Sequence, residues 1–210
     1  SLALDNMKKI KYLSKKEIEK KINFKFDKTN LLVTIHPETL GKTELINNID
    51  SILKKLTKLK KTKIIFTMPN VDMGNINIFN KLKKFVRKNK SKSLLLKSMG
   101  QQLYFSSLNH IDVVIGNSSS GIIEAPSFRV PTINLGKRQL GRLKPTSVIN
   151  CDFNSKKFEK SLKKSLSKRF KRKINKMQNP YYKPNTINNM LKILKKIKLK
   201  NGTQKIFYEK

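Results

Sequence analysis

Apolar positions along the chain fall into short β-branched runs that alternate with longer stretches of helical period, an alternation that predicts βαβ units on a parallel sheet. Residues 31–36 make the first strand, which Pro37 stops. Leu45, Ile49, Ile52, Leu53 and Leu56 then recur at helical spacing as one apolar stripe. Further strands are expected at 63–68, closed by Pro69 and Asn70, and at 93–97, 112–116, 131–135 and 147–150. Helices are expected at about 77–88, 102–108 and 122–128. The 112–116 strand is almost all Val and Ile, which places it at the centre of the sheet with both faces buried. From residue 155 the pattern is helical and strongly basic, broken by turn residues at 179–184 before a last helix at about 187–197. Ile174, Met177, Leu191, Leu194 and Ile197 recur at helical spacing and are expected to be its buried side.

The organisation that follows is an amphipathic lead-in over 1–28, an α/β Rossmann-like domain over 29–178, a helical segment over 179–200 and a frayed tail over 201–210. With 210 residues, 37% of them apolar, the chain can bury one full core. No stretch approaches the roughly 18 consecutive apolar residues of a membrane helix, so a soluble protein with no membrane partner is expected. The one cysteine, Cys151, has no internal partner and suits a reducing compartment, which makes the cytoplasm the expected location. The opening at Ser1, with neither a basic-then-apolar leader nor a tag, reads as a chain cut from something longer.

The formal net charge of +35 raises nucleic acid or an anionic surface as a partner. Its distribution points elsewhere. The basic residues are overwhelmingly Lys, recur along the whole chain and travel with Asn and Ile, whose codons are A/T-rich, a pattern that compositional drift accounts for. The blocks 168–176 and 192–200 accordingly read as solvated helix faces rather than phosphate-binding arms, and nucleic acid is not expected as a partner.

In an open parallel sheet, ligands bind beyond the carboxyl ends of the strands. Polar residues gather there: His36 after the first strand, Asn70 and Asp72 after the second, 117–121 after the fourth, and Lys137, Arg138 and Arg142 after the fifth. The sharpest element is GNSSSGIIEAPS (116–127), where a buried strand turns through a small, hydroxyl-rich loop into a helix. Backbone N–H groups, the helix dipole and the Ser118, Ser119 and Ser120 hydroxyls around Gly121 together suit a diphosphate. Glu124, in the first turns of the helix, can accept both hydroxyls of a ribose. Taken alone, the loop is better explained by Ser120 as a helix cap and Glu124 as a dipole complement; the convergence of the other strand-end residues favours a ligand. Arg138 and Arg142, in LGKRQLGR, stand out in a chain that otherwise uses Lys, because guanidinium groups grip phosphate bidentately. With two histidines, one cysteine and neither HExxH nor CxxC spacing, the inventory supports no zinc site. Neither a P-loop nor GxGxxG after a strand is present.

TIHPET (34–39), MPNVDMG (68–74), IGNSSSGIIEAPSFRVPTINLG (115–136) and RQLGR (138–142) resemble, in order and spacing, the C-terminal domain of hydrolysing UDP-N-acetylglucosamine 2-epimerases, over about residues 4–189. The resemblance implies the C-terminal half of a GT-B-type fold of two Rossmann-like domains, with UDP held mainly by this half. His36 and Asn70 would lie at the nucleotide-sugar site, with His36 a possible catalytic residue. Ser118 and Ser119 would bind the diphosphate, Glu124 the ribose and Arg138 the phosphates.

The implied reaction uses no metal or other cofactor: UDP leaves UDP-N-acetylglucosamine across C1 and C2, and water adds to the resulting glycal to give N-acetylmannosamine, a precursor of sialic and related acids. The carboxylates that act on the sugar would belong largely to the N-terminal half, so this half alone is expected to bind rather than turn over, and the full-length protein to be a homo-oligomer. Lys137 stands where many members carry Asp in a GDRQ motif, and NPYYKPN (179–185) where NPYGDG is common. The alternatives are a non-hydrolysing UDP-N-acetylglucosamine 2-epimerase, against which the SSSG and RQxGR wording argues, a sugar transferase of the same fold, and a basic nucleic-acid-binding module.

Overall fold

The computed structural model describes residues 1–38, 42–69 and 75–197. Six strands form one sheet: β1 (Thr29–Thr34), β2 (Thr62–Thr67), β3 (Ser93–Leu96), β4 (Val113–Gly116), β5 (Thr132–Leu135) and β6 (Val148–Cys151). All neighbours are parallel and the order is β3-β2-β1-β4-β5-β6. The chain therefore winds outward in one direction from β1 and, after crossing back, in the other from β4. The seam between β1 and β4 is the topological switch point, where the loops leaving the two strands diverge and open a crevice.

Alternation along each central strand feeds two apolar layers. Leu31, Val33, Ile64, Phe66, Val113 and Ile115 face α3 (Lys42–Thr57), α4 (Asn75–Lys88) and α7 (Ser155–Leu166), meeting Ile49, Ile52, Leu56, Ile78, Leu82 and Phe158. Leu32, Ile65 and Val114 face the other way, towards α2 (Lys15–Ile22), α5 (Gly100–Leu108) and a 3₁₀ turn at Ala125–Phe128. The central β4 is buried throughout, as its Val and Ile content requires. α2 starts with a full capping box: the Ser14 hydroxyl accepts from the Glu17 N–H while the Glu17 carboxylate accepts from the Ser14 N–H.

Three expectations change. The first strand ends at Thr34 rather than at 36, because its parallel pairing with β2 runs from Thr29↔Thr62 to Thr34↔Thr67; His36 thus sits in the loop beyond the strand. The helix expected at 122–128 is two short turns, α6 (Ser120–Ile123) and the 3₁₀ turn, since Pro126 lacks the N–H that would continue the α-helical ladder. The basic helices also differ in burial. In α8 (Lys168–Asn175), Phe170 and Ile174 are buried, Lys168, Arg169, Arg172 and Lys173 are exposed, and Lys171 pairs with Asp112 at 2.6 Å. In α9 (Thr186–Lys196), no residue is buried: Leu191 and Leu194 are 48% and 60% exposed, and Ile197 at its C-cap is 53% exposed. The apolar period is real, but within the described residues α9 packs mainly against α1 (Leu2–Met7), where the Asp5 carboxylate accepts from the Ile187 N–H. The Leu45 side chain, Asp72 and the 201–210 tail lie outside the described residues.

Candidate functional site

The site begins with a close approach of two strand ends. Gly116 ends β4 at φ +133°, and a Cβ there would stand 1.8 Å from the Thr34 carbonyl oxygen. Only glycine lets the loop leave β4 against the end of β1. Asn117 follows, fully buried, and ties three loops together. Its side-chain oxygen accepts from the His36 N–H at 2.7 Å, and its side-chain nitrogen donates to the His36 carbonyl at 2.9 Å and the Glu38 carboxylate at 3.4 Å. Its own carbonyl accepts from Arg138 Nη1 at 3.2 Å and Gln139 Nε2 at 2.8 Å. The Glu38 carboxylate also accepts from the Arg138 N–H at 3.2 Å. Asn117 and Glu38 thus fix the loops after β1, β4 and β5 relative to one another, mostly through backbone groups.

The serine turn comes next. Ser119 occupies the N-cap position of α6 without a side-chain capping bond, so Ser120 is not the cap. The Ser120 hydroxyl instead accepts from the Tyr104 phenol at 2.8 Å and donates to Ser118 Oγ at 3.1 Å. Gly121 is buried, its absent Cβ leaving room for the Thr132 side chain, whose hydroxyl donates to the Gly121 carbonyl at 2.7 Å. Its contribution is to let α6 sit tightly on β5.

Ser118 and Ser120 open into a cavity of about 380 Å³ that Thr34, His36, Thr67, Lys97, Met99 and Tyr104 also line. Among these, the Thr34 and Thr67 hydroxyls, one from the end of β1 and one from the end of β2, are hydrogen-bonded at 2.6 Å. His36 is buried, with its backbone held by Asn117.

Glu124 has one carboxylate oxygen shut off from solvent without a partner among the described residues. Burial raises its pKa above the ordinary carboxylate value, while its backbone hydrogen bond and the nearby Arg142 charge act in the opposite direction. The two arginines therefore divide: Arg138 reaches the Asn117 carbonyl, and Arg142 lies in the field of Glu124. Asn70 lies outside the described residues. Tyr104, Glu38 and Gln139 escaped the sequence reading. Tyr104 lies within a helix and looks like ordinary core, and nothing in sequence spacing tells that its hydroxyl meets the serine turn 16 residues later.

A family model described as UDP-N-acetylglucosamine 2-epimerase matches residues 1–195. The chain belongs to this family. Among curated proteins it is 40% identical over 162 residues to a GDP/UDP-N,N'-diacetylbacillosamine 2-epimerase (hydrolyzing) of Campylobacter jejuni, a match that covers 76% of this chain and 42% of that protein. It is 34% identical over 211 residues to the Escherichia coli polysialic acid biosynthesis protein P7, covering 100% of this chain and 53% of the relative. The chain thus spans about half the length of these relatives.

The fold agrees. A UDP co-structure of Staphylococcus aureus MnaA superposes with a TM-score of 0.67 at 16% identity, over 92% of this chain and 52% of that one. The Methanocaldococcus jannaschii UDP-GlcNAc 2-epimerase in complex with UDP-GlcNAc and UDP gives 0.67 at 19% identity, over 92% and 51%. The chain has the architecture of one half of these GT-B-type epimerases. Among the described residues, no helix is long and apolar enough to cross a membrane.

Proposed function

We propose that this chain is the nucleotide-binding half of a hydrolysing 2-epimerase acting on a UDP-linked N-acetylated amino sugar, UDP-N-acetylglucosamine in the first instance. The observation that carries the reading is the pairing of the hydroxyl turn with Glu124, whose enclosed carboxylate oxygen lacks a partner among the described residues. A ribose diol is a fitting partner for such an oxygen, since two hydroxyls would supply the donors the fold withholds. Ser118 and Ser119 then donate to the diphosphate, with Arg138 and Arg142 supplying positive charge at the same rim and His36 and Asn70 belonging to the nucleotide-sugar site. His36 is the one residue of this half offered a catalytic part.

In the proposed reaction the C1–O bond to UDP breaks as the C2 proton is removed, giving a glycal and UDP. Water then adds across the double bond to release the free 2-epimeric sugar. Negative charge grows on the departing diphosphate, so donors aimed at it act on the barrier as well as on affinity. The carboxylates that move protons on the sugar belong to the other half, and this half alone binds UDP without turnover. The name of the Campylobacter jejuni relative, at 40% identity, favours a second reading of the sugar as diacetylbacillosamine; the UDP chemistry is the same.

Calorimetric titration with UDP and UMP at moderate and high salt tests the proposal. Saturable UDP binding that persists in salt is expected, weakened about tenfold or more in Ser118→Ala and in Glu124→Ala, the scale of a lost hydrogen bond to a charged group. Binding to DNA that collapses with salt, with no UDP binding, would sink it.

A further inference from the structure

Three hydroxyls form a directed chain in the wall of the cavity. The Tyr104 phenol donates to Ser120 Oγ at 2.8 Å, and Ser120 Oγ donates to Ser118 Oγ at 3.1 Å. Ser118 Oγ also accepts from the Ser120 N–H at 3.4 Å. The direction has a chemical reason: a phenol is a stronger donor than an aliphatic hydroxyl, so Tyr104 gives its proton and Ser120, having accepted one bond, passes its own onward. Ser118 then receives two bonds from Ser120 and has no acceptor for its own O–H among the described residues. That O–H lies at the wall of the cavity that Tyr104, Ser118 and Ser120 share.

Resting on the nucleotide reading of this cavity, we propose that Tyr104 is a positioning residue: acting through Ser120, it orients the Ser118 hydroxyl outward as a donor to the phosphate oxygens of a bound nucleoside diphosphate. Without the phenol, the Ser120 proton is free to rotate, and Ser118 is as able to donate inward to Ser120 as outward to a ligand. Chains of hydroxyls polarise one another, so the terminal donor is also a stronger one than an isolated serine. Burial, as the main cause, and the Glu124 charge both push the Tyr104 phenol well above its ordinary pKa, outweighing the opposing hydrogen bond to Ser120. It therefore stays a proton donor across the working pH range.

The test is Tyr104→Phe, which keeps the ring and removes only the first donor, alongside Ser120→Ala and the double variant. Affinities for UDP are measured by calorimetry, those for uridine by saturation of NMR shifts, and folding by thermal melts. The expected result is a loss of UDP affinity of about three- to tenfold in Tyr104→Phe, part of the worth of one hydrogen bond to a charged acceptor. Uridine affinity stays within twofold of the parent, and the double variant is no worse than the weaker single, since both cut the same chain. UDP binding by Tyr104→Phe within twofold of the parent would overturn the proposal. So would an equal loss for uridine, which would mark a general collapse of the pocket. If the parent chain itself binds no UDP, the nucleotide reading fails first and takes this inference with it.

Discussion

At the scale of single residues, the site is assembled from groups whose needs the fold leaves open. Glu124 is the clearest. Its carboxyl is raised above its ordinary pKa because burial disfavours the charged form. A carboxyl with a raised native pKa contributes stability that is present below its unfolded pKa and lost as pH rises through its native one. Ionising Glu124 therefore costs more in the folded free protein than in the unfolded chain. Glu124→Gln is expected to raise the melting temperature at pH 7–8 by a few degrees, with the gain vanishing towards pH 4, while weakening UDP; melts over that pH range and a titration check both halves. The sequence showed Glu124 in place but not its enclosure. Nor did it show that Arg138 reaches the Asn117 carbonyl. Tyr104 was illegible because its hydroxyl finds Ser120 through tertiary packing alone.

At the scale of elements, strands were legible and short helices were not. Val and Ile in 112–116 announce a central strand, since only a strand covered on both faces uses so unbroken an apolar run. The 122–128 segment has a helical period but lacks the length to carry a ladder across Pro126, and it divides into two turns. Tertiary roles of lysine are similarly hidden: Lys92 donates to the carbonyls of Leu56, Thr57 and Leu59 around the end of α3, one structural cation among many solvated ones. The junction of β4 and the serine turn carries the firmest prediction. Gly116→Ala places a Cβ against the Thr34 carbonyl oxygen, so it should cost about 3 kcal/mol or more, the range of severe backbone conflicts. Chemical denaturation measures it; a variant as stable as the parent would mean that β1 and β4 part more easily than their register implies.

At the scale of the whole molecule, composition sets the charge and pattern sets the period of the last helix. A charge of +35, carried along the chain but absent from α1, α5 and α6, makes self-repulsion and nonspecific attraction to anions unavoidable, yet the cavity proposed for the nucleotide is lined mainly by hydroxyls and methionines, with a histidine and one lysine, rather than by a basic stripe. The period of α9 was legible, but its burial was not, because no period says what lies opposite. The central claim is that a nucleoside diphosphate is held at the switch point and not by the diffuse charge. The most direct measurement is the backbone amide spectrum of the isotope-labelled chain titrated with UDP at high salt. The account predicts saturable shifts confined to residues 34–38, 97–104, 116–124 and 138–142. Shifts spread over α7 and α8, fading with salt and sparing 116–124, would contradict it.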